Sequence, residues 1–124
     1  MFAAGINGIA TAAPRPIKIL AIGTSLTQGY NLPPGTDFTA VLQAQLTAKG
    51  YDVVIVNAGV SGDTSAGGLA RLDWALDTDV KGAIVELGSN DALRGLDVGE
   101  TRKNLDRLLS KLKAGKIAVL LAGM

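Results

Sequence analysis

Short apolar runs alternate with helical stripes along this chain. Four runs are predicted strands, at Ile17 to Ile22, Val53 to Val56, Ala83 to Leu87 and Ile117 to Leu121. Between them, apolar residues recur at helical spacing in three segments, which are Phe38, Val41, Leu42 and Leu46, then Leu69, Leu72 and Leu76, then Leu105, Leu108, Leu109 and Leu112. The predicted order is therefore β-α-β-α-β-α-β.

Polar residues and glycines mark the predicted ends of these elements. Gly23 ends the first strand, and Thr36 or Asp37 is placed to cap the first helix. The sequence Asn57-Ala58-Gly59 is predicted to stop the second strand, and Ala114-Gly115 to end the last helix. The elements are short and closely connected, as expected in a compact domain.

Strands that read as continuous apolar runs between helices indicate a parallel sheet covered on both faces. The predicted fold class is a three-layer α/β/α domain. In such sheets ligands bind beyond the carboxyl ends of the strands. Ser25, Gly62 and Asn90 follow the first, second and third strands. We therefore expect their loops to converge on one edge of the sheet.

Composition narrows the possible chemistry. The 124 residues include 12 basic and 11 acidic ones, a net charge of +1, so no strongly charged partner is implied. Basic residues cluster between Arg102 and Lys116, where a solvated helix face is favoured over a nucleic-acid site. The sequence has no cysteine and no histidine, which excludes disulfides and argues against zinc. Its acidic residues lack the spacing of a calcium loop.

The N-terminal residues 1–13 are small and apolar, and they are too short to span a bilayer. The sequence Ala10-Thr11-Ala12 resembles a signal-peptidase site, although a positive leader is missing. Two interpretations are open: the tail of an export signal, with a periplasmic or secreted protein, or a flexible arm on a cytoplasmic one. Residues 14–124 are predicted to belong to a single domain.

The glycine-framed turn from Gly23 to Gly29 has two interpretations. It could cradle a phosphate, but it has neither the G-x-G-x-x-G spacing nor the lysine of a P-loop. Alternatively, it holds Ser25 as an exposed nucleophile. A lone serine after a strand is usually structural, so the second interpretation depends on the loops that contain Gly62 and Asn90.

Three segments resemble the conserved blocks of the GDSL or SGNH hydrolases. They are G-T-S-L-T-Q-G-Y from Gly23, N-A-G-V-S-G-D-T-S from Asn57 and V-E-L-G-S-N-D from Val85. The bacterial arylesterase, thioesterase I and lysophospholipase branch is the most similar. The resemblance implies a flavodoxin-like sheet of order 2-1-3-4 and cleavage of small acyl esters or thioesters without a metal or cofactor. It also implies that Ser25 is the nucleophile, and that the oxyanion donors are the N–H groups of Ser25 and Gly62 and the amide of Asn90.

Structural alternatives exist for each of these residues. Gly62 could simply allow a positive φ, and Asp63 and Thr64 could cap the next helix. Asn90 could tie down its own loop, and Asp91 is expected to be a cap or loop brace. Two aromatic residues are expected in the core or in helix packing rather than at the substrate, namely Phe38 and Trp74.

The chain departs from the family pattern at two places. Thr24 stands where the G-D-S-L block has Asp, so a charged brace beside Ser25 becomes a neutral hydroxyl. The family's D-x-x-H block, with its catalytic Asp and His, is absent, as are its fifth strand and final helix. Without a base the chain alone is expected to be inactive or strongly impaired. An apolar sheet face and a strand edge are also expected to be bare.

These departures leave several hypotheses open. Residues 14–124 are predicted to be the N-terminal part of a longer hydrolase domain, whose complement is a C-terminal second chain, a swapped copy or a segment lost through truncation. No nucleic-acid partner and no stable membrane insertion are expected. Alternatively, the chain is a catalytically inactive acyl-binding or interaction module. A flavodoxin-like nucleotide binder is the least favoured possibility because no phosphate motif is present.

Overall fold

The computed structural model describes residues 15–123. They form four strands and five helices, with one or two helices between successive strands. In chain order these are β1 (Ile17–Gly23), α1 (Ser25–Gln28), α2 (Phe38–Ala48), β2 (Val53–Gly59), α3 (Ser65–Ala75), β3 (Val80–Glu86), α4 (Ser89–Leu93), α5 (Val98–Ala114) and β4 (Ala118–Leu121).

The four described strands form one parallel sheet in the order β2-β1-β3-β4. Strands β1 and β3 are its two inner strands, and Ile22 of β1 lies opposite Ala58 of β2 and Val85 of β3. A parallel sheet with helical crossovers confirms the predicted α/β class and strand order. It also brings the carboxyl ends of β1, β2 and β3 to one edge.

The main hydrophobic core lies between the sheet and helices α3 and α5. Leu20 and Ile22 of β1 and Val85 of β3 point toward this layer, where they are fully buried. They pack with Leu72 of α3 and with Leu108 and Leu112 of α5, as the helical stripes of the sequence predict.

Helix α2 covers the β2 side of the opposite face. The side chain of Gln43 donates from Nε2 to the carbonyl of Val53 over 2.9 Å and accepts from the N–H of Ile55 over 2.7 Å. These bonds satisfy backbone groups of an edge strand, as a neighbouring strand would.

The rest of this second face is open in residues 15–123. Ile19, Ile84 and Leu120 line a shallow apolar depression of about 340 Å³, and Leu120 is 63% exposed. Phe38 and Leu42 of α2 border a neighbouring cavity of about 370 Å³, and Phe38 is only half-buried. We refer to Ile19, Ile84, Leu120, Phe38 and Leu42 as the open apolar face.

The structure differs from the prediction at the ends of two strands and at two short helices. Strand β3 spans Val80–Glu86, so it begins before the predicted start at Ala83 and ends before Leu87. Strand β2 continues to Gly59, because its pairing with β1 extends through Asn57 and Ala58. Helices α1 and α4, of four and five residues, were not predicted, since neither is long enough to show a helical period.

The expectation that Trp74 packs in the core or against a helix is wrong. Its side chain is 89% exposed on α3. Leu72 is fully buried on the same helix, and two residues along a helix turn a side chain to the opposite side. Trp74 therefore points away from the face that α3 presents to the core.

None of the helices found between residues 15 and 123 has the length and apolarity needed to cross a bilayer. The predicted export-signal tail or arm at residues 1–13 lies outside the described residues, so both interpretations of it stay predictions.

Candidate active site

Ser25 is the first residue of α1, directly after the carboxyl end of β1. Its side chain is half-buried, and its hydroxyl makes no hydrogen bond among residues 15–123. Its backbone N–H occupies a helix position that has no intrahelical acceptor. Both groups of Ser25 proposed for catalysis are therefore available for a ligand.

The loop after β2 is bound directly to the Ser25 turn. The N–H of Val60 donates to the carbonyl of Gly23 over 2.9 Å, and the N–H of Ser61 donates to Gln28 Oε1 over 2.8 Å. Gly59 allows this approach, because a Cβ there would lie 2.2 Å from the backbone nitrogen of Gln28.

Gly62 has a φ of +79°, which is a backbone conformation that favours glycine. The alternative that this glycine allows a positive φ is therefore met. The carbonyl of Gly62 accepts a 2.6 Å hydrogen bond from Arg94 Nη2. Its N–H has no acceptor among residues 15–123. The loop is thus held by its carbonyl while the N–H stays available.

Asn90 lies in α4, just after β3, and it binds the neighbouring loop rather than its own. Its Nδ2 donates to the backbone carbonyl of Asp63 over 2.8 Å. An amide nitrogen carries two N–H groups. One of them holds the loop after β2, and the other can serve an oxyanion.

Arg71 of α3 is a central residue that the sequence analysis did not identify. Its guanidinium donates to the carbonyls of Gly23 and Ala58, over 3.1 and 2.8 Å. It also forms a 2.7 Å ion pair with Asp63, in which both side chains are mostly buried. The planar five-donor geometry of arginine suits such a junction. Arg71 thereby joins the ends of β1 and β2 to the loop that Asn90 binds.

Asp91 braces the loops, as expected. It is buried, and it accepts hydrogen bonds from the N–H of Ser65 over 2.8 Å, the Ser65 hydroxyl over 2.5 Å and the Thr101 hydroxyl over 2.8 Å. Burial raises the pKa of the Asp91 carboxyl, but these hydrogen bonds outweigh burial and hold the pKa below its usual value of 3.8. Asp91 is thus anchored as a carboxylate between α3, α4 and α5.

Asp63 and Thr64 were both candidates to cap α3. Thr64 is the cap, since its hydroxyl accepts a hydrogen bond from the N–H of Gly67. Asp63, the other candidate, instead pairs with Arg71. Both residues therefore act in fixing the loop that carries Gly62.

Thr24, which stands where the G-D-S-L block has Asp, is fully buried and caps α1. Its hydroxyl donates to the carboxylate of Glu86 at the end of β3, 2.8 Å from Oε2. A charged group therefore does brace the turn, but it comes from another strand. The sequence signal was a single acidic residue within the apolar run of β3.

A cavity of about 570 Å³ lies beside β2 and α3, where Val56, Trp74 and Val80 are among its lining residues. It reaches the loop after β2 at Val60 and touches Arg71. Ser25, Gly62 and Asn90 do not line it. Within residues 15–123, no three acidic, histidine or cysteine side chains are grouped so that they could hold a metal ion.

Taken together, hydrogen bonds tie the loops that carry Ser25, Gly62 and Asn90 to one edge of the sheet. Positions for a nucleophile, two backbone N–H groups and a side-chain amide are thus collected there. Groups of these kinds, together with a base, are what attack on a carbonyl and stabilisation of its oxyanion require.

Comparison with known proteins agrees with this geometry. The protein named Esterase TesA from Pseudomonas aeruginosa is 44% identical over 108 residues, which are 86% of this chain and 53% of that protein. Thioesterase 1/protease 1/lysophospholipase L1 from Escherichia coli K12 is 38% identical over 104 residues, or 83% and 49% of the two chains. The chain thus spans about half the length of these relatives.

Solved structures show the same relationship. The crystal structure of AlinE4, an SGNH-hydrolase family esterase, is 46% identical and superimposes with a TM-score of 0.85 over 91% of this chain and 61% of its own. A structure of TesA gives 39% identity and a TM-score of 0.83 over 86% and 60%. Residues 21–124 match the sequence pattern of one family. The chain belongs to the GDSL-like Lipase/Acylhydrolase family.

Proposed function

We propose that this chain carries the nucleophile and the oxyanion donors of a serine hydrolase that cleaves carboxylic esters or thioesters. The observation that carries the proposal is the joining of three loops at one sheet edge through Arg71 and Asn90. It is supported by the Ser25 hydroxyl, which makes no hydrogen bond within the described part of the chain, and by the esterase and thioesterase names of similar proteins.

In the proposed reaction, Ser25 Oγ attacks the acyl carbonyl carbon while its proton passes to a base. Negative charge develops on the carbonyl oxygen, where the N–H groups of Ser25 and Gly62 and the amide of Asn90 stabilise it. As this intermediate collapses, the base passes that proton to the leaving oxygen or sulfur, the alcohol or thiol departs and an acyl-enzyme remains at Ser25. Water then releases the acid and restores the hydroxyl.

The base is the part of this mechanism that the printed sequence does not provide, since it contains no histidine. We propose that an Asp-x-x-His segment, in the same protein or in a partner chain, supplies it. Loss of the base in a serine hydrolase lowers kcat by about 10⁶. The same segment would cover the open apolar face, where Leu120 is exposed. A swapped second copy is the alternative cover.

A catalytically inactive acyl-binding module is the second candidate function. The lack of any histidine in the sequence favours it, because a serine without a base is a weak nucleophile. The two candidates differ in turnover, whereas both predict binding of an acyl group near Ser25.

Labelling of the protein in extracts of its source organism tests the choice. A fluorophosphonate probe is expected to modify Ser25, giving an adduct on tryptic peptide 19–49 that is absent in Ser25→Ala. The unlabelled protein should hydrolyse p-nitrophenyl butyrate, and labelling should abolish this hydrolysis because the adduct occupies Ser25 Oγ. If the probe-treated protein yields peptide 19–49 without the adduct, the hydrolase is ruled out. Saturable binding of butyrate by this unlabelled protein would then support the acyl-binding module.

A further inference from the structure

Glu86 is a buried carboxylate directly beneath the turn that carries Ser25. It is 4% exposed, and no basic side chain within residues 15–123 forms an ion pair with it. Among residues 15–123, its hydrogen-bond donors all come from this turn. The N–H and hydroxyl of Thr24 lie 2.9 and 2.8 Å from Oε2, and the Thr27 hydroxyl lies 3.0 Å from the same oxygen. The acid and the turn are therefore bound to each other.

This hydrogen-bond set fits an ionised acid. A carboxylate only accepts hydrogen bonds, and buried negative charge is tolerated when several donors point at it. The Thr24 hydroxyl uses both of its capacities, because it accepts from the N–H of Leu26 over 3.3 Å and donates to Glu86. An ionised aspartate at position 24, as in the G-D-S-L block, has no side-chain hydrogen to donate to Glu86. One of the two carboxyl groups would need a proton for a hydrogen bond to form between them.

The peptide group between Gly23 and Thr24, one residue before Ser25, is held on both sides. The N–H of Thr24 donates to Glu86, while the carbonyl of Gly23 accepts from Arg71 Nη2 and from the N–H of Val60. Gly23 is packed tightly here, since a Cβ would lie 2.1 Å from Thr27 Oγ1 and 2.8 Å from Glu86 Oε2. The direction in which the chain enters Ser25 is thereby fixed.

We propose that Glu86 is a positioning residue for the Ser25 nucleophile, acting through Thr24, and that the threonine hydroxyl allows this acid to serve as a carboxylate. The catalytic consequence rests on the proposed function. Small displacements of a reacting group can lower a rate by about 100-fold, so the turn needs this degree of fixation.

Substitutions at Thr24 and Glu86 test the proposal in the ester-hydrolysing protein. Thr24→Val removes the hydroxyl at nearly constant shape, Thr24→Ser keeps it, and Glu86→Gln removes the charge. We expect Thr24→Val and Glu86→Gln each to lower kcat for p-nitrophenyl butyrate about tenfold or more, with KM changed less than about twofold. Thr24→Ser should stay within about threefold of the original kcat. The double variant should lose less than the product of the two single losses, because both act through one contact.

Val80→Ala is the matched control for general loss of stability. Val80 is buried at the opposite end of β3 from Glu86. This variant should unfold at a lower denaturant concentration yet keep its kcat. An unchanged kcat in Thr24→Val, an equal loss in Thr24→Ser, or an equal loss in Val80→Ala would overturn the positioning role.

Amide hydrogen exchange separates this proposal from the proposed function. If the unsubstituted protein neither hydrolyses the ester nor labels at Ser25, the hydrolase assignment fails. Exchange of the Thr24 N–H, followed by NMR, still shows whether Glu86 holds the turn in place. We expect Glu86→Gln to speed that exchange at least about tenfold relative to Val80→Ala at matched stability. Equal exchange in the two variants would show that Glu86 does not hold the turn.

Discussion

The amide of Asn90 donates a 2.8 Å hydrogen bond to the backbone carbonyl of Asp63, and so joins the loop after β3 to the loop after β2. One N–H of the amide is used in this contact, and the other stays available to a ligand. The same side chain can therefore fix the loop that holds Gly62 and contribute to an oxyanion site.

Replacement of Asn90 by alanine should remove both contributions. We expect kcat for p-nitrophenyl butyrate to fall by about 10²–10³ in the ester-hydrolysing protein, the usual effect of losing one oxyanion donor. Leu93→Ala, which changes an exposed side chain on the same short helix, should leave kcat unchanged. A loss below tenfold in Asn90→Ala would argue that the amide has only a structural role.

Gly59→Ala should destabilise the fold, because the added Cβ would lie 2.2 Å from the backbone nitrogen of Gln28 and neither backbone can easily move. We expect a loss of about 1–3 kcal/mol in the free energy of unfolding, measured by denaturant titration. Gly82→Ala is the control, since its Cβ would lie 3.5 Å from Ile19, at ordinary contact distance. Equal stability of the two variants would contradict the close approach of the loops.

Asp91→Asn should reduce the dependence of stability on acid pH. Because the pKa of Asp91 is lower in the folded protein than the usual 3.8, the carboxylate adds stability that is fully present above that pH. This stability is lost as the pH falls below 3.8 toward the folded-state pKa. Unfolding titrations should therefore show a flatter decline in Asp91→Asn.

At neutral pH the same substitution should cost about 1–3 kcal/mol, since the amide presents a donor to groups that already donate. Asp106→Asn, at an exposed position on α5, should leave the acid decline as steep as before. The brace would be disproved if Asp91→Asn and Asp106→Asn gave the same pH profile.

Leu120→Gln should reduce self-association of the 124-residue chain, because Leu120 contributes exposed surface to the open apolar face. Its free energy of unfolding should change by less than about 0.5 kcal/mol. Sedimentation velocity measures the association. Leu93→Gln makes the same change at a residue outside the open apolar face, so a similar reduction there would show that this face is not the site of contact.

Sequence patterns were sufficient for the features that depend on local periodicity. Apolar runs marked all four strands, and the stripe through Leu108 and Leu112 identified the core side of α5. The three polar loops were placed at the correct edge, because parallel strands joined by helices must bring their carboxyl ends together.

Features that depend on distant contacts were not accessible in this way. Arg71 and Glu86 lie 48 and 62 residues from the Gly23 and Thr24 groups that they bind. No local spacing signals such contacts. Strand β2 was likewise extended to Gly59 by pairing with β1, against the turn tendency of its own sequence.

Trp74 is the only tryptophan in the sequence, and it is almost fully in contact with solvent. Its indole therefore has nearly the same surroundings in the native and the denatured chain. Intrinsic fluorescence should change little on unfolding, and external quenchers should reach the ring equally well in both states. The secondary structure, followed by far-ultraviolet circular dichroism, is accordingly the suitable signal for measuring the stability of this domain.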